Sequence, residues 1–268
     1  MRVAAVQINA HADGPANRAK MQIWVERLME RERPDLIVFP EYTSFISSDA
    51  DILRANAEEG GRGPACDLIA ELAARHRVNI HLGSLVEREG DRLYNASLVF
   101  DRTGKIVERY RKIHRFDVTL PDGTEILESA MVDAGEQIIV REIEGVRFGL
   151  SICYDLRFGE LFRELERKGA QVLLIPAAFT QQTGIDHWEV LLRARAIENQ
   201  CYVIAPGQIG SYDNGSRTSF GHSMIIDPWG LIIAQASNQE GAVAADIDLD
   251  YLAAVRAKLP VATHRVLN

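Results

Sequence analysis

Strand-like and helix-like segments alternate along the whole chain, and this order limits the possible folds more than any other feature. The strand-like VAAVQI precedes residues 16–30, whose apolar residues have helical spacing. The segments VNIHLGSLVE and RLYNASLVF form a hairpin-like pair between helix-like segments. Paired strands between helices favour an α/β fold with two sheet layers flanked by helices, rather than one doubly wound sheet.

Three reactive residues follow apolar, strand-like runs. Glu41 follows LIVFP, Lys112 ends IVERYRK, and Cys153 stands between GLSI and a helix-like segment. Ligands in α/β folds gather at the carboxyl ends of strands, so we expect the carboxylate, the ammonium and the thiol to meet in one pocket. A helix N-terminus beside Cys153 is expected to lower the pKa of the thiol and to bind an oxyanion.

Composition and charge exclude several classes of protein. The 268 residues contain no linker-like tract, which predicts a single domain over residues 1–268. A net charge of −8 argues against nucleic acid and anionic membranes as partners. No apolar run approaches the ~20 residues of a membrane span. Three widely spaced cysteines fit a reducing compartment, so we expect a cytoplasmic protein.

The three residue types suit hydrolysis of a C–N bond. A cysteine sulfur attacks an amide or nitrile carbon and forms a thioester or thioimidate. Glu41 would take the thiol proton and give it to the departing ammonia. Lys112 and the backbone N–H of Tyr154 would stabilise the oxyanion, each by roughly 3–4 kcal/mol. Water deprotonated by Glu41 would clear the thioester, so no cofactor is required.

At these positions the chain resembles the nitrilase superfamily, also called carbon–nitrogen hydrolases. FPE around Glu41, YRKIHRFD around Lys112 and ICYDLRF around Cys153 look like the motifs of that family's Glu-Lys-Cys triad, in the same order. The resemblance implies an αββα four-layer sandwich of the nitrilase type, and a homodimer or larger homo-oligomer. It also implies a second glutamate in the pocket, and Glu128 matches that position, where it would hold Lys112 and the substrate nitrogen.

The segments KIHRFD and TGIDHWE are similar to the Nit branch of the superfamily, which contains deaminated glutathione amidases and omega-amidases. This resemblance implies a cysteine-dependent amidohydrolase that releases ammonia from a short carboxylate-bearing amide through a thioester. Two alternatives use the same site: an omega-amidase acting on 2-oxo acid amides, or a nitrilase acting on small nitriles. Two others differ in class: a Cys–His protease that uses His114, and an inactive sandwich that serves as an interaction partner.

Four further residues are candidates for substrate binding. Tyr154 and Arg157 flank the nucleophile, and Arg157 would either bind a substrate carboxylate or merely cover the helix start. Phe179 and Thr180 follow the strand-like VLLIP and would line the pocket or cap that strand. The histidines are scattered and no HExxH occurs, so we expect no metal site.

Two expectations concern local structure. The amphipathic DHWEVLLRARAIENQ predicts a helix with Asp186 as its N-cap. Residues 114–136 have no clear period and are expected to form a long loop, which in a compact domain usually serves function.

Overall fold

The computed structural model describes residues 1–119, 123 and 125–266. In this part of the chain the α-helices are α1 (Gly14–Arg31), α2 (Ala50–Ala55), α3 (Pro64–His76), α4 (Gly159–Arg167), α5 (Gln181–Asn199) and α6 (Leu249–Lys258). None of the described helices is long and apolar enough to cross a membrane.

The strands form two large sheets and two small hairpins. The first sheet contains β1 (Arg2–Gln7), β2 (Leu36–Val38), β3 (Glu58–Glu59), β4 (Asn79–Glu89), β5 (Arg92–Phe100), β6 (Ile106–Arg111) and β17 (Gly241–Asp246). The second contains β9 (Val140–Ile143), β10 (Val146–Leu150), β11 (Val172–Leu174), β12 (Tyr202–Ala205), β15 (Met224–Ile226) and β16 (Ile232–Gln235). The hairpins are β7 (Asp117–Thr119) with β8 (Glu125–Leu127), and β13 (Ile209–Tyr212) with β14 (Arg217–Phe220).

Both large sheets use one pairing scheme. The first has the order β17-β1-β2-β4-β5-β6, with β3 beside β4, and the second has the order β9-β10-β11-β12-β15-β16. In each sheet three adjacent strands are parallel, with one antiparallel strand on one side and two on the other. Helices connect the parallel strands, as parallel pairing requires. The chain thus contains a structural repeat that its sequence does not reveal.

The sheets pack face to face, and helices cover their outer faces. Successive side chains of a strand point to opposite faces. In β1, accordingly, Val3 and Ala5 join the core between the sheets, whereas Ala4 and Val6 pack towards α1 and α3. Helices α4 and α5 cover the second sheet. The order helix, sheet, sheet, helix confirms the α/β fold, an αββα four-layer sandwich.

Helix α5 begins earlier than the sequence predicts. Its N-cap is Thr180, whose side chain accepts a hydrogen bond from the backbone N–H of Thr183, so the expected N-cap at Asp186 is wrong. Gly184 lies inside the helix, where a Cβ atom would come within 2.3 Å of Phe220. The helix thus includes a residue with low helix propensity, and the missing side chain allows close packing against β14.

Two other local expectations need correction. Residues 114–136 are not a continuous loop, because they contain the β7–β8 hairpin and a 3₁₀ turn over Glu128–Ala130. Residues 120–122 and 124 of that segment lie outside the described residues. Cys153 begins a 3₁₀ turn, Cys153–Arg157, and α4 follows only at Gly159, so Cys153 does not stand directly at an α-helix N-terminus.

Candidate active site

The backbone at Cys153 makes a sharp turn just after β10. Its φ is 48°, in the left-handed region that non-glycine residues seldom adopt. The N–H of Cys153 donates to the carbonyl of Pro176 at 2.8 Å, and the N–H of Ile152 donates to Asp155 Oδ2 at 2.9 Å. These bonds tie the turn to the segment after β11 and keep the thiol at a fixed position.

Glu41 lies just after β2, where a bulge in β4 approaches it closely. At Gly83 in this bulge, a Cβ atom would be only 1.8 Å from the carbonyl oxygen of Phe39, so the position requires glycine. The carbonyl of Glu41 accepts a hydrogen bond from Gln208 Nε2 at 2.9 Å. The segment carrying Glu41 is therefore held from both sides.

Lys112 follows β6 and is fixed through its backbone. Its N–H donates to the carbonyl of Asn95 at 2.9 Å, and its carbonyl accepts from the N–H of Gly135 at 2.8 Å. A Cβ atom at Gly135 would lie 2.1 Å from the Arg111 carbonyl oxygen, so glycine is needed here too. As the sequence indicates, Lys112 stands at a strand end.

The side chains of Glu41, Lys112 and Glu128 form one buried network. Lys112 Nζ lies 2.9 Å from Glu41 Oε1 and 2.8 Å from Glu128 Oε2. Asn95 Nδ2 donates to Glu41 Oε1 at 2.8 Å and to Glu128 Oε1 at 3.0 Å. Tyr42 donates its hydroxyl to Glu128 Oε1 at 3.1 Å. The structure thus brings the three charged candidates together, around an asparagine that links both carboxylates.

The network determines which of its groups are charged. Burial alone would lower the pKa of Lys112, but the carboxylates of Glu128 and Glu41 outweigh it and hold that pKa well above its usual value. Burial would raise the pKa of Glu128, but Lys112 and hydrogen bonds from Asn95 and the Phe116 N–H bring it below its usual value. An ammonium and the Glu128 carboxylate are therefore the resting forms.

The thiol of Cys153 behaves differently from the sequence expectation. Burial raises its pKa well above the usual value, the Glu41 carboxylate adds to the rise, and Lys112 opposes it. The expected low pKa is therefore wrong. The expectation rested on a helix N-terminus beside the thiol, whereas desolvation and the Glu41 carboxylate dominate. A thiol that is neutral at rest needs a base to remove its proton during attack.

Two cavities meet at Cys153. The larger, here the main cavity, encloses about 610 Å³ open to solvent and is lined among others by Glu41, Lys112, Glu128, Cys153, Tyr212 and Arg217. The smaller, here the side cavity, encloses about 220 Å³ and is lined by Phe116, Cys153, Tyr154, Arg157, Ala178, Phe179, Thr180 and Thr183. Cys153 lines both cavities, so the thiol is reached from two sides.

The four candidates for substrate binding lie at the side cavity, and Thr180 also lines the main cavity. The guanidinium carbon of Arg157 is 5.9 Å from the ring centre of Tyr154 and 5.3 Å from that of Phe179. Such cation–π contacts orient the guanidinium without neutralising it. Arg157 therefore remains able to bind an anion beside Cys153.

Asp155 is a positioning residue that the sequence interpretation missed. Its Oδ2 accepts the Tyr110 hydroxyl at 2.7 Å, and its Oδ1 lies 2.7 Å from His114 Nδ1. The His114 ring also stacks on Phe158, with ring centres 3.7 Å apart. No histidine is among the described residues that line either cavity, so a Cys–His arrangement does not fit this site.

Other site residues were also absent from the sequence interpretation. The sequence does contain a signal for Asn95, because an asparagine is unusual within an apolar, strand-like run such as RLYNASLVF. In the structure its side chain is fully buried. Tyr42 follows Glu41 directly and has a positive φ of 53°. Tyr212 and Arg217 belong to the segment GQIGSYDNGSRTS, whose sequence suggests a role in substrate specificity without indicating which side chains act. The placement of the β13–β14 hairpin brings these two to the main cavity.

Comparison with known proteins identifies the class of enzyme to which this fold and site belong. The chain belongs to the carbon–nitrogen hydrolase family, whose model matches residues 2–257. This match confirms the resemblance seen in the sequence, and the chain is a carbon–nitrogen hydrolase.

Individual relatives have amidase names. The chain is 40% identical over 276 residues to a deaminated glutathione amidase of Dictyostelium discoideum, covering 100% of this chain and 94% of the relative. It is 38% identical over 264 residues to an omega-amidase of Danio rerio, covering 98% and 94%. These names agree with the amidohydrolase class that the sequence indicates.

Solved structures confirm the fold. The C. elegans NitFhit protein matches with a TM-score of 0.91 and 37% identity over 99% of this chain, which spans 65% of that longer chain. A Saccharomyces cerevisiae member of branch 10 of the nitrilase superfamily matches with a TM-score of 0.89 and 29% identity, over 100% and 97% of the two chains.

Proposed function

We propose that this chain hydrolyses a short, carboxylate-bearing amide through a thioester on Cys153. The observation that carries the proposal is the buried network in which Lys112 contacts Glu41 and Glu128 at the cavity that Cys153 lines. A charged lysine between two carboxylates, beside a neutral thiol, supplies a base, an oxyanion donor and a nucleophile. Acyl transfer needs these three groups.

The first half of the reaction forms the thioester. Glu41 takes the proton of the Cys153 thiol as sulfur bonds to the amide carbon, and the carbonyl electron pair moves to oxygen. Lys112 and the backbone N–H of Tyr154 stabilise this oxyanion. The oxyanion then re-forms the carbonyl, the C–N bond breaks, and Glu41 gives its proton to the departing amine.

The second half releases the acid. Glu41 takes a proton from water while the water oxygen attacks the thioester carbon. The C–S bond then breaks, sulfur recovers the proton from Glu41, and the carboxylic acid leaves. Each turnover consumes one water and restores both residues, so the cycle closes with no net change in the enzyme.

The main role of Glu128 is to fix the position of Lys112. One of its oxygens is 2.8 Å from Lys112 Nζ and accepts the N–H of Phe116 at 2.6 Å, while the other accepts from Asn95 and Tyr42. These bonds hold the ammonium between the two carboxylates. Glu128 is also placed at the main cavity, where it can accept a hydrogen bond from the substrate nitrogen.

Arg157 supports the carboxylate in the proposed substrate. It lies in the side cavity with Cys153, and a guanidinium binds a carboxylate through two parallel hydrogen bonds. An omega-amidase reaction on a terminal amide would release ammonia. Deaminated glutathione has its amide bonds within the molecule, so its hydrolysis would release an amine. Both reactions use the same thioester.

A substrate panel tests the proposal. Terminal amides of short dicarboxylic and 2-oxo acids, deaminated glutathione and small nitriles would be incubated with the enzyme, and ammonia, amine and acid would be measured. We expect hydrolysis of the acidic amides and little turnover of nitriles. Preferential nitrile hydrolysis would reject the amidase assignment, and absence of turnover on all of them would favour the inactive sandwich.

We also propose a homodimer in the cytoplasm. Exposed apolar side chains lie on α5 and on the β15–β16 connection: Val190 and Ile197 on the helix, Trp229 and Leu231 on the connection. Arg193 joins the two elements, since its Nε donates to the Gly230 carbonyl at 2.9 Å. An apolar patch of this kind marks an interaction surface. Light scattering should show monomers for Trp229→Glu if this patch forms the homodimer.

The proposed cytoplasmic location is tested separately, by fractionation of cells.

A further inference from the structure

The β13–β14 hairpin contributes a second arginine to the site. Tyr212 and Arg217 are cross-strand partners at its distal end, and both line the main cavity with Glu41, Lys112 and Cys153. Arg217 is partly buried. Its guanidinium forms no ion pair with any residue in the described ranges, although two buried carboxylates lie in the same cavity.

The hairpin is anchored to both halves of the molecule. Asp213, in its turn, accepts the N–H of Ser48 through Oδ2 at 2.7 Å. At its base, the N–H of Ile209 donates to the carbonyl of Ile8 at 3.0 Å, and that of Phe220 donates to Phe179 at 2.9 Å. Arg217 therefore projects from a fixed support, which lowers the entropic cost of binding a ligand.

The two cavities have different roles in the proposed mechanism. Glu41 lines the main cavity and is absent from the lining of the side cavity. Since Glu41 gives its proton to the departing amine, the leaving group lies in the main cavity and the acyl group in the side cavity. Arg157 is thus on the acyl side of the scissile bond, and Arg217 on the leaving-group side.

We propose that Arg217 is a specificity-determining residue that binds a carboxylate on the leaving group. This inference rests on the proposed function and extends it. The substrate would then carry one carboxylate towards Arg157 and another towards Arg217, as in an N-acyl amino acid or short N-acyl peptide. Hydrolysis consumes one water and releases the acid and a carboxylate-bearing amine.

The main cavity reaches from Cys153 to the hairpin, because Cys153, Tyr212 and Arg217 all line it. Departing ammonia is about as large as a water molecule, roughly 30 Å³, and would use little of that space. An amino acid or dipeptide would fill more of the cavity and bring its carboxylate to the hairpin.

Two matched amides test the inference. Succinyl-glycine and succinyl-ethanolamine share an acyl group, and only the first has a carboxylate on its leaving group. Release of succinate measures turnover of both. In Arg217→Gln, we expect kcat/KM for succinyl-glycine, divided by that for succinyl-ethanolamine, to fall about 10–100-fold. Arg217→Lys should recover part of this loss, because it restores charge without the two parallel hydrogen bonds.

Arg163 provides a matched control, because it is exposed on α4 and lines neither cavity. Arg163→Gln makes the same charge change and should leave the ratio as in the wild type. Calorimetry adds a readout without turnover: in Cys153→Ala protein, Arg217→Gln should weaken binding of succinyl-glycine by a similar factor. Circular dichroism checks that each variant is folded.

The outcomes separate the two proposals. Equal losses on both amides, or an unchanged ratio in an active Arg217→Gln enzyme, would overturn the role of Arg217 and leave the amidase mechanism standing. A wild-type enzyme that hydrolyses no amide of either panel would overturn the proposed function, and this inference with it.

Discussion

The two large sheets share one pairing scheme but contribute different chemistry. The first sheet supplies Glu41 after β2 and Lys112 after β6, whereas the second supplies Cys153 after β10. The strand that corresponds to β2 in the second sheet is β11. After β11, Ala178 provides only a backbone N–H, which donates to Glu41 Oε2 at 2.8 Å.

This difference shows that the pairing scheme does not determine function. Neither sheet holds a complete set of reactive groups, and packing of the sheets against each other assembles the site. The same backbone plan therefore carries a thiol in one half and charged side chains in the other, in keeping with the general separation of fold from function. Predictions that remove one contribution at a time test this division.

Replacing Cys153, which the second sheet supplies, should reduce activity most. Cys153→Ala deletes one sulfur atom from a cavity wall and should lower kcat at least about 10⁴-fold while the protein stays folded. Mass spectrometry of wild-type enzyme quenched during turnover should show an acyl adduct on the Cys153 peptide. An adduct on Cys66 or Cys201 instead would show that Cys153 is not the nucleophile. Both of these thiols are buried and lie outside the cavity linings.

Replacing Lys112 or Glu41, which the first sheet supplies, should have the second-largest effect on activity. Lys112→Met and Glu41→Gln should each lower kcat about 10²–10³-fold and change KM much less, because both groups act mainly on the transition state. Lys105→Met, an exposed substitution beside β6, is the control and should retain wild-type kinetics. Normal steady-state rates in Glu41→Gln would show that a different group is the base.

The bulge that positions Glu41 should be sensitive as well. Gly83→Ala would place a Cβ atom 1.8 Å from a backbone oxygen, so we expect a loss of about 3 kcal/mol or more in the free energy of unfolding. Gly241→Ala in β17 of the same sheet is the matched control, because the nearest atom would be 3.8 Å away. Urea denaturation measures both, and equal stabilities would argue against the close approach in the bulge.

The smallest effect concerns acid stability. The folded state lowers the pKa of Glu128, so its contribution is complete above the unfolded value of about 4.3 and is lost as pH falls through the lower folded value. Glu128→Gln should therefore reduce the slope of unfolding free energy against pH in this acid range, by at most about 1.4 kcal/mol per pH unit. Urea titrations between pH 3 and 6 would measure the slopes, and parallel curves for the two proteins would contradict this prediction.

The sequence predicts the site best where local pattern decides position. Glu41, Lys112 and Cys153 each follow a strand, and the rule that strand ends gather functional groups is enough to bring them together. The fold class follows from the same alternation of strands and helices. Both depend on short-range signals that the sequence contains.

Long-range packing explains what the sequence did not predict. Arg217 reaches the site only because the β13–β14 hairpin contacts both halves of the molecule. The direction of the Cys153 pKa shift depends on burial and on Glu41, which is 112 positions away in the sequence. Helix α5 begins at Gln181, and its Gly184 packs closely against Phe220, 36 positions away in the sequence. Such contacts have no local sequence signature.

The Asp155 carboxylate has a consequence for the dynamics of the protein. It accepts hydrogen bonds from the N–H of His114, next to the Lys112 segment, and from the N–H of Ile152, in the turn that carries Cys153. Both amides depend on one side chain, so a movement of Asp155 would expose them together. We therefore expect these two amides to exchange with solvent deuterium at the same rate, as one cooperative unit that includes Cys153 and Lys112.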